Sequence, residues 1–177
     1  DAGVTGFTHL FNAMSPLTSR EPGAVGAGLY DERAWCSLIV DGHHVDPVTL
    51  RLALRCKPAD RFLLVTDAMP PTGGSMRDFM LDGRRIATRD GRLVAEDGTL
   101  GGADLDMMTA VTNTRDLLGV PFATALAMAG RSPAAFLQLS ADLGTIAPGA
   151  RASLVAIKDD RVVRTWINGA GPEDAGR

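Results

Sequence analysis

The sequence has little net charge and no long apolar run. Its 177 residues carry 18 Lys and Arg against 21 Asp and Glu, which gives a net charge of −3. A near-neutral, slightly acidic chain lacks the basic surface that nucleic-acid binding requires. No apolar stretch approaches the roughly 18–20 residues that span a bilayer. We therefore expect neither nucleic acid nor membrane among the partners of this protein, and its 45% hydrophobic content indicates a folded globular chain.

The sequence also has few cysteines and nothing that resembles an export signal. It begins at Asp1, and no basic segment followed by an apolar one comes after it. The two cysteines, Cys36 and Cys56, fall in or beside predicted core elements and have no evident basic neighbour. This pattern fits unreactive, reduced thiols better than a disulfide framework. We therefore expect a cytoplasmic protein.

Three short apolar runs each end in a residue that can bind a metal ion or a proton. The runs are GVTGFTH at 3–9, CSLIVDGHH at 36–44 and FLLVTD at 62–67, ending at His9, His44 and Asp67. A (β/α)8 barrel builds its active site from the carboxyl ends of buried parallel strands. His and Asp are common ligands of catalytic metals. The three runs therefore predict the site of a metallohydrolase.

The segment between the second and third runs has the signals of a helix. DPVTLRLALRCK at 46–57 starts with Asp46 as N-cap and Pro47 at the first helical position. Strand, helix and strand in succession predict a βαβ unit with a parallel sheet. By contrast, the Gly- and Pro-rich segment SPLTSREPGAVGAGLYDE at 15–32 predicts a loop.

The second half of the chain changes pattern. FMLDGRRIATRDGRLVAEDGTLGG at 79–102 alternates polar and apolar residues around three Asp-Gly pairs, which predicts an antiparallel meander. Apolar residues at helical spacing over 105–118 predict a helix, and Ser132-Pro133 begins another. The segment 143–170 returns to predicted strands separated by APGA and KDD. These strands predict a small terminal β domain.

Six segments, in order, resemble one known family. They are THLFNAM at 8–14, REPG at 20–23, DGHHVD at 41–46, VTDA at 65–68, DGTLGGADLDM at 97–107 and LGTIAPGARASLVA at 143–156. Together they resemble the N-acetylglucosamine-6-phosphate deacetylase family of the amidohydrolase superfamily. The resemblance implies an α/β fold in which residues 1–146 form the C-terminal part of a (β/α)8 TIM-type barrel. Residues 147–177 would then supply the last strands of a small β-sandwich domain.

A closed barrel of this type needs eight strands and roughly 250 residues, and only about three strand-plus-site units are present here. We therefore expect the chain to be the C-terminal part of a longer protein. The resemblance also implies two further metal ligands, a glutamate and a histidine from earlier strands. Neither of these ligands matches any residue of this chain.

The resemblance implies a role for each matching residue. His9 would be a metal ligand and Asp67 the general base. Asn12, Ala13 and His44 would contact the phosphate of the substrate. Arg20 would be a phosphate clamp that reaches into the neighbouring subunit of a homodimer. The backbone of Leu100, Gly101 and Gly102 would line the acetyl and sugar side of the site.

These roles suit deacetylation of N-acetylglucosamine 6-phosphate to glucosamine 6-phosphate and acetate, in amino-sugar metabolism. Hydrolysis of an unactivated acetamide needs a strong nucleophile and a polarised carbonyl, and a bound divalent ion, zinc first among the candidates, supplies both. A carboxylate such as that of Asp67 can move the proton from water to the departing amine. An arginine fork and a histidine suit a phosphate dianion.

Other readings of the same residues stay open. The chain could belong to a cyclic-amide hydrolase or a deaminase of the same superfamily, for which a phosphate clamp at Arg20 would have no purpose. It could also be an inactive fragment, or a piece that only binds sugar phosphate, because ligands are missing. At the level of single residues, His9 could be a structural histidine, Asp67 could tie down the following Pro-Pro turn, and Arg20 could be a solvated surface charge.

Overall fold

The computed structural model describes residues 3–89 and 91–172, which form three sheets and five α-helices. The first half contains β1 (Gly6–Phe7), α1 (Gly23–Tyr30), β2 (Trp35–Leu38), α2 (Pro47–Ala53), a 3₁₀ turn (Ala59–Arg61) and β3 (Phe62–Leu64). The meander follows as β4 (Asp78–Leu81), β5 (Arg84–Arg89), β6 (Arg92–Ala95) and β7 (Leu100–Ala103). The chain continues through α3 (Met107–Leu118), α4 (Phe122–Ala129), α5 (Arg131–Phe136), β8 (Leu154–Lys158) and β9 (Arg161–Trp166).

The three apolar runs form one parallel sheet, as predicted, and its strand order is β1-β2-β3. Phe7 is in register with Cys36, and Cys36 with Phe62. The strands are shorter than the runs, because the chain leaves the ladder after Leu38 although Ile39 and Val40 stay fully buried. The sheet and its helices share one core, whose fully buried members include Leu10, Leu38, Phe62, Leu64, Val111 and Met128. None of the helices in the described ranges is long and apolar enough to cross a membrane.

Helix α2 confirms the predicted capping. The Asp46 side chain accepts a hydrogen bond from the Val48 backbone N–H at 2.7 Å, and Pro47 is the first helical residue. The helix ends at Ala53, before the predicted end at Lys57. Lys57 instead turns inward, and its Nζ donates to three backbone carbonyls around the end of α1: those of Gly28, Asp31 and Ala34. A buried ammonium needs such partners, so this side chain closes the end of α1 against β2.

The loop prediction for residues 15–32 is wrong over Gly23–Tyr30, which form helix α1. Glycine disfavours helices, but here small residues permit close packing. A Cβ on Gly28 would lie 3.0 Å from the Phe7 ring, and one on Gly26 would lie 2.6 Å from Pro22 Cβ. Gly28 therefore lets α1 approach the sheet, and Gly26 lets the helix pack closely against Pro22.

Two further helices differ from what the sequence predicts. Helix α4 was not predicted, because its sequence FATALAMA has no polar face to reveal a helical period. Its Ala125 and Met128 are completely buried, and it packs against α3 and β3. Helix α5 begins at Arg131, one residue before the predicted start, and ends at Phe136.

The expectation for the cysteines is partly wrong. Cys36 is buried as predicted, whereas Cys56 is exposed. Cys36 also has a basic neighbour, because Lys57 Nζ lies 3.9 Å from its sulfur. Burial raises the pKa of the Cys36 thiol above its usual value, and the Lys57 ammonium offsets only part of that increase. The higher pKa agrees with an unreactive core thiol at this position.

The meander over β4–β7 is antiparallel, as predicted. The Asp82-Gly83 pair takes a left-handed turn, with φ values of 50° and 78°. Asp90, in the second of the three predicted turns, lies outside the described residues.

Over 143–170, strands form at β8 and β9 around Asp159-Asp160, but none forms over 143–153, so that part of the strand prediction is wrong.

Candidate functional site

The carboxyl ends of β1, β2 and β3 lie side by side. The Leu10 backbone N–H donates to the Ser37 carbonyl at 2.8 Å, and the Val65 N–H donates to the Leu38 carbonyl at 3.0 Å. Neighbouring strands are about 4.8 Å apart, so the segments after β1 and β3 are roughly 10 Å apart across β2. We call the residues that follow these strands, 8–13, 39–44 and 65–69, the strand-end edge. The structure thus brings three of the predicted site segments to one edge of the sheet.

His9 is held at this edge in a rare backbone conformation. Its φ is 36°, and its backbone N–H donates to Ser37 Oγ at 2.7 Å. The ring atom Nδ1 is buried and has no hydrogen-bond partner among the described residues. An unpaired buried polar atom is costly unless something else satisfies it. The His9 ring therefore needs a partner that the described part of the chain does not supply.

In the turn after β1, residues with a left-handed backbone conformation alternate with residues of ordinary conformation. Phe11 and Ala13 have φ values of 80° and 51°, in addition to His9. The Asn12 amide stabilises the turn by donating to the carbonyls of His9 at 3.1 Å and Leu10 at 3.4 Å. Left-handed non-glycine residues cost free energy and cluster at functional sites. This geometry leaves Ala13 exposed beside the half-buried Asn12.

Asp67 also has a left-handed backbone, with a φ of 52°, and an exposed side chain. No residue in the described ranges forms a hydrogen bond or an ion pair with its carboxylate. The Pro-Pro turn that follows is stabilised by other groups, because Met69 N–H donates to the Ala103 carbonyl at 3.2 Å and Thr72 N–H to the Met69 carbonyl at 2.9 Å. The carboxylate is therefore available to a ligand.

Strand β7 brings the predicted sugar-side segment next to Asp67. The Ala103 N–H donates to the Asp67 carbonyl at 2.8 Å. Gly102 has a φ of 98°, and a Cβ there would lie 2.4 Å from Met69 Cγ and 3.0 Å from the Asp67 carbonyl oxygen. Only glycine fits this close approach. Gly102 consequently lies beside the segment after β3, although it is more than thirty positions away along the chain, whereas Gly101 faces Ile86 and Leu100 pairs with Val94 within the meander.

His44 lies in the loop after β2 and pairs with Asp41, a residue that sequence reasoning missed. His44 Nδ1 is 2.6 Å from Asp41 Oδ2, and the two side chains are 5% and 9% exposed. The second carboxylate oxygen accepts the backbone N–H groups of His43 and His44 at 2.8 and 2.9 Å. The sequence signal was available in DGHH, because an aspartate often accepts backbone hydrogen bonds from the residues two and three positions after it.

Burial of Asp41 disfavours its charged form, but the hydrogen bonds from the His44 ring and from the two backbone N–H groups outweigh this effect. The pKa of the Asp41 carboxyl is thereby lowered to about 2. Asp41 is thus an ionised carboxylate near neutral pH, and it acts only as a hydrogen-bond acceptor.

Arg20 is exposed in the loop before α1. A small turn supports this loop, in which Thr18 Oγ1 donates to the Glu21 carbonyl at 2.9 Å and accepts from the Glu21 N–H at 3.1 Å. The described residues offer no hydrogen-bond or ion-pair partner to the Arg20 guanidinium. The structure does not bring Arg20 into contact with any other candidate site residue.

The donors at the strand-end edge fit a metal ion only in part. In residues 3–89 and 91–172, no group of three His, Cys, Asp or Glu side chains could hold a metal ion together. Catalytic zinc normally takes three protein ligands. The orphaned Nδ1 of His9 and the unpaired carboxylate of Asp67 are consistent with a site that is completed by groups from outside these residues.

Comparisons with known proteins agree on one family. The model of the family described as "Amidohydrolase family" matches residues 8–170. An N-acetylgalactosamine-6-phosphate deacetylase of Shewanella sp. (strain ANA-3) is 42% identical over 170 residues, which cover 96% of this chain and 43% of that protein. The crystal structure of N-acetylglucosamine-6-phosphate deacetylase from Pasteurella multocida matches with a TM-score of 0.89 and 37% identity, over 93% of this chain and 44% of that one.

A D267A mutant of the N-acetylglucosamine-6-phosphate deacetylase of Mycobacterium smegmatis, in complex with N-acetyl-D-glucosamine-6-phosphate, also matches with a TM-score of 0.89. It is 34% identical, and the match covers 97% of this chain and 46% of that one. The chain therefore spans less than half the length of each of these three relatives.

Proposed function

Because this chain belongs to the amidohydrolase family, we propose that it is part of an enzyme that removes the acetyl group from an N-acetylhexosamine 6-phosphate. The products are the hexosamine 6-phosphate and acetate. The strand-end edge supports this proposal, because the orphaned His9 ring, the His44–Asp41 pair and the unpaired Asp67 carboxylate lie in the segments that follow three adjacent strands. The relatives named for this activity support the choice of substrate.

We also propose an architecture for the chain. It assigns residues 1–146 to the C-terminal part of a (β/α)8 barrel with the meander as an insertion, and residues 147–177 to the end of a small β-sandwich domain. The parallel order β1-β2-β3, with α2 crossing between the second and third strands, supports the barrel. The match covers less than half of each of the three relatives named above, which supports the proposal that other barrel strands supply the remaining metal ligands.

The proposed chemistry assigns distinct tasks to His9 and Asp67. His9 would be one ligand of a divalent ion, with zinc the first candidate, and such an ion would supply Lewis-acid polarisation of the acetamide carbonyl and a more acidic water molecule. Asp67 accepts the proton of the attacking water through its unpaired carboxylate and passes it to the departing amine. The backbone of Leu100–Gly102 is assigned to the acetyl and sugar side, and the approach of Gly102 to Asp67 supports this assignment.

The phosphate end of the substrate is assigned to four other residues. Asn12, Ala13 and His44 contact it from the strand-end edge, and Arg20 reaches it from the neighbouring subunit of a homodimer. The exposed, unpaired guanidinium of Arg20 supports this role, because a bidentate fork suits a phosphate dianion. Low cysteine usage supports a cytoplasmic enzyme.

The name of one relative indicates N-acetylgalactosamine 6-phosphate as a second candidate substrate. The Shewanella relative, 42% identical over 96% of this chain, is named for the galactosamine rather than the glucosamine substrate. The two sugars differ in the configuration of a single hydroxyl group, so the same phosphate and acetamide contacts serve either one.

Acetate release tests these proposals directly. The complete metal-loaded enzyme is assayed with both N-acetylhexosamine 6-phosphates, with the unphosphorylated sugars and with a cyclic amide. We expect turnover of one or both phosphorylated sugars, and the kcat/KM ratio between them identifies the preferred epimer. Preferential turnover of the cyclic amide would favour another amidohydrolase function. A complete absence of hydrolysis by the metal-loaded protein would favour a binding role.

A further inference from the structure

The His44–Asp41 contact does more than stabilise the backbone of the loop after β2, because it also orients the His44 ring. Asp41 uses one carboxylate oxygen for the backbone of the loop and the other for the His44 ring. If the carboxylate only shaped the loop, the backbone contacts would suffice. The short ring contact, between side chains that are 5% and 9% exposed, additionally fixes the plane and the direction of the imidazole.

The second nitrogen of the ring has a different environment. Nε2 of His44 makes no hydrogen bond to any residue within the described ranges, and it is not among the buried unpaired atoms there. It therefore keeps a small contact with solvent in a side chain that is 5% exposed, while Nδ1 points inward to the carboxylate. Because an ionised Asp41 can only accept, the hydrogen of the neutral ring resides on Nδ1 and Nε2 carries the lone pair.

We propose that Asp41 is a positioning residue that holds the His44 ring with Nδ1 inward and Nε2 turned toward the phosphate of the substrate. This inference rests on the proposed function for the identity of the ligand, but not for the geometry of the pair. A phosphate dianion only accepts hydrogen bonds, so it pairs with Nε2 when the ring carries a second proton. Asp41 then supplies the buried counter-charge behind the imidazolium, and the contact to phosphate is charge-assisted.

The substitution Asp41→Asn separates the two tasks of this carboxylate. Asparagine keeps an oxygen for the backbone N–H groups of His43 and His44, so the loop retains its turn. Its NH₂ group, however, donates to Nδ1 and reverses the roles of the two ring nitrogens. Asp41→Ala removes both sets of contacts and reports the cost of losing the loop itself. His43→Asn is the matched control, because His43 shares the backbone contact to Asp41 but is exposed and has no ring contact to it.

Nitrogen-15 NMR of histidine-labelled protein reads the tautomer without any assay of activity. We expect hydrogen on Nδ1 of His44 in the neutral ring of the native protein and on Nε2 in the Asp41→Asn variant. Titration with inorganic phosphate should shift the His44 ring signals in the native protein and shift them less in the variant. An unchanged tautomer in Asp41→Asn would overturn the proposal, even if deacetylation is confirmed.

Steady-state kinetics then tests the connection to phosphate. Asp41→Asn should raise KM for the phosphorylated substrate by about 5–10-fold, because the imidazolium that donates to the phosphate becomes a neutral imidazole, with little change in kcat. The low kcat/KM for the unphosphorylated sugar should stay the same, and His43→Asn should behave as the native enzyme. Equal losses on both sugars would show that Asp41 acts only on loop structure and would overturn the proposal. If no sugar phosphate is hydrolysed at all, the proposed function fails, while the NMR result still decides the positioning role.

Discussion

His9 and Ser37 are joined across two neighbouring strands, since the His9 backbone N–H donates to Ser37 Oγ at 2.7 Å. Ser37 is 3% exposed, and its own carbonyl accepts the N–H of the residue after His9. The hydroxyl thus stabilises the left-handed backbone that aims the ring of the proposed metal ligand. It links the second strand of the sheet to the chemistry proposed at the end of the first.

Ser37→Ala should therefore weaken metal binding although Ser37 touches no metal. Removing a group that orients a ligand typically costs 10–100-fold in metal affinity or activity. Metal content at limiting zinc and kcat of the complete enzyme measure the effect. Thr8→Ala is the control, because Thr8 is exposed and its Oγ1 only accepts a hydrogen bond from Ser37 Oγ at 3.4 Å, so the variant keeps the contact between Ser37 Oγ and the His9 N–H. Equal metal affinity in the two variants would show that the Ser37 hydroxyl has no orienting role.

Asp67→Asn should abolish proton transfer while preserving shape. The side chain has no described hydrogen-bond partner, so the amide breaks no contact of the fold. We expect kcat to fall by roughly 10²–10⁴-fold with KM nearly unchanged. A variant with near-native turnover would make Asp67 a structural residue and the mechanism wrong.

Arg20→Ala should lower kcat/KM for the phosphorylated sugar by about 10–150-fold, because the variant loses one charge-assisted hydrogen-bonding contact to the phosphate. The unphosphorylated sugar should be nearly unaffected. If Arg20 acts across a homodimer, mixing Arg20→Ala with Asp67→Asn subunits should restore one good site per heterodimer. Absence of rescue in verified heterodimers would place Arg20 in the site of its own subunit.

The 177-residue chain by itself should not retain one tightly bound metal ion per chain. The described residues supply no set of three ligands, whereas catalytic zinc normally takes three from protein. Metal analysis after dialysis measures this, with the complete enzyme as the positive control. Stoichiometric metal in the isolated chain would contradict the proposal that earlier strands complete the site.

Asp41 should make stability depend on acid pH. Its folded pKa of about 2 lies below the ordinary value of 3.8, so its contribution is fully present above pH 3.8 and is lost as pH falls through 2. At pH 5 or above, that contribution is about 2 kcal/mol of unfolding free energy relative to the protonated group. The stability difference between the native protein and Asp41→Asn should therefore shrink as denaturant titrations move from pH 5 to pH 2. A constant difference would show that the carboxylate charge does not stabilise the loop.

Local sequence signals were sufficient for several elements. The apolar runs placed β1, β2 and β3, Asp46 and Pro47 marked the start of α2, and Asp-Gly pairs located turns of the meander. These features are determined by residues a few positions apart, through the alternation of apolar side chains, helix capping and turn conformation. The same runs brought His9, His44 and Asp67 to one edge, because parallel strands share the direction of their carboxyl ends.

Contacts between distant residues decided the rest. The glycines of α1 indicate a turn in the sequence, and only the packing of Phe7 against Gly28 shows why a helix forms there. The sequence of α4 has no polar face to show a helical period, so the packing of α4 against α3 and β3 identifies it as a helix. The inward turn of Lys57 is equally invisible in the sequence, because its three carbonyl partners lie more than twenty residues earlier. Likewise, the approach of Gly102 to Asp67 depends on a four-stranded meander folding back onto the sheet. Secondary-structure propensity and hydrophobic periodicity depend on residues that are close in the sequence. Burial and close backbone approach are determined only when segments distant in the sequence pack together.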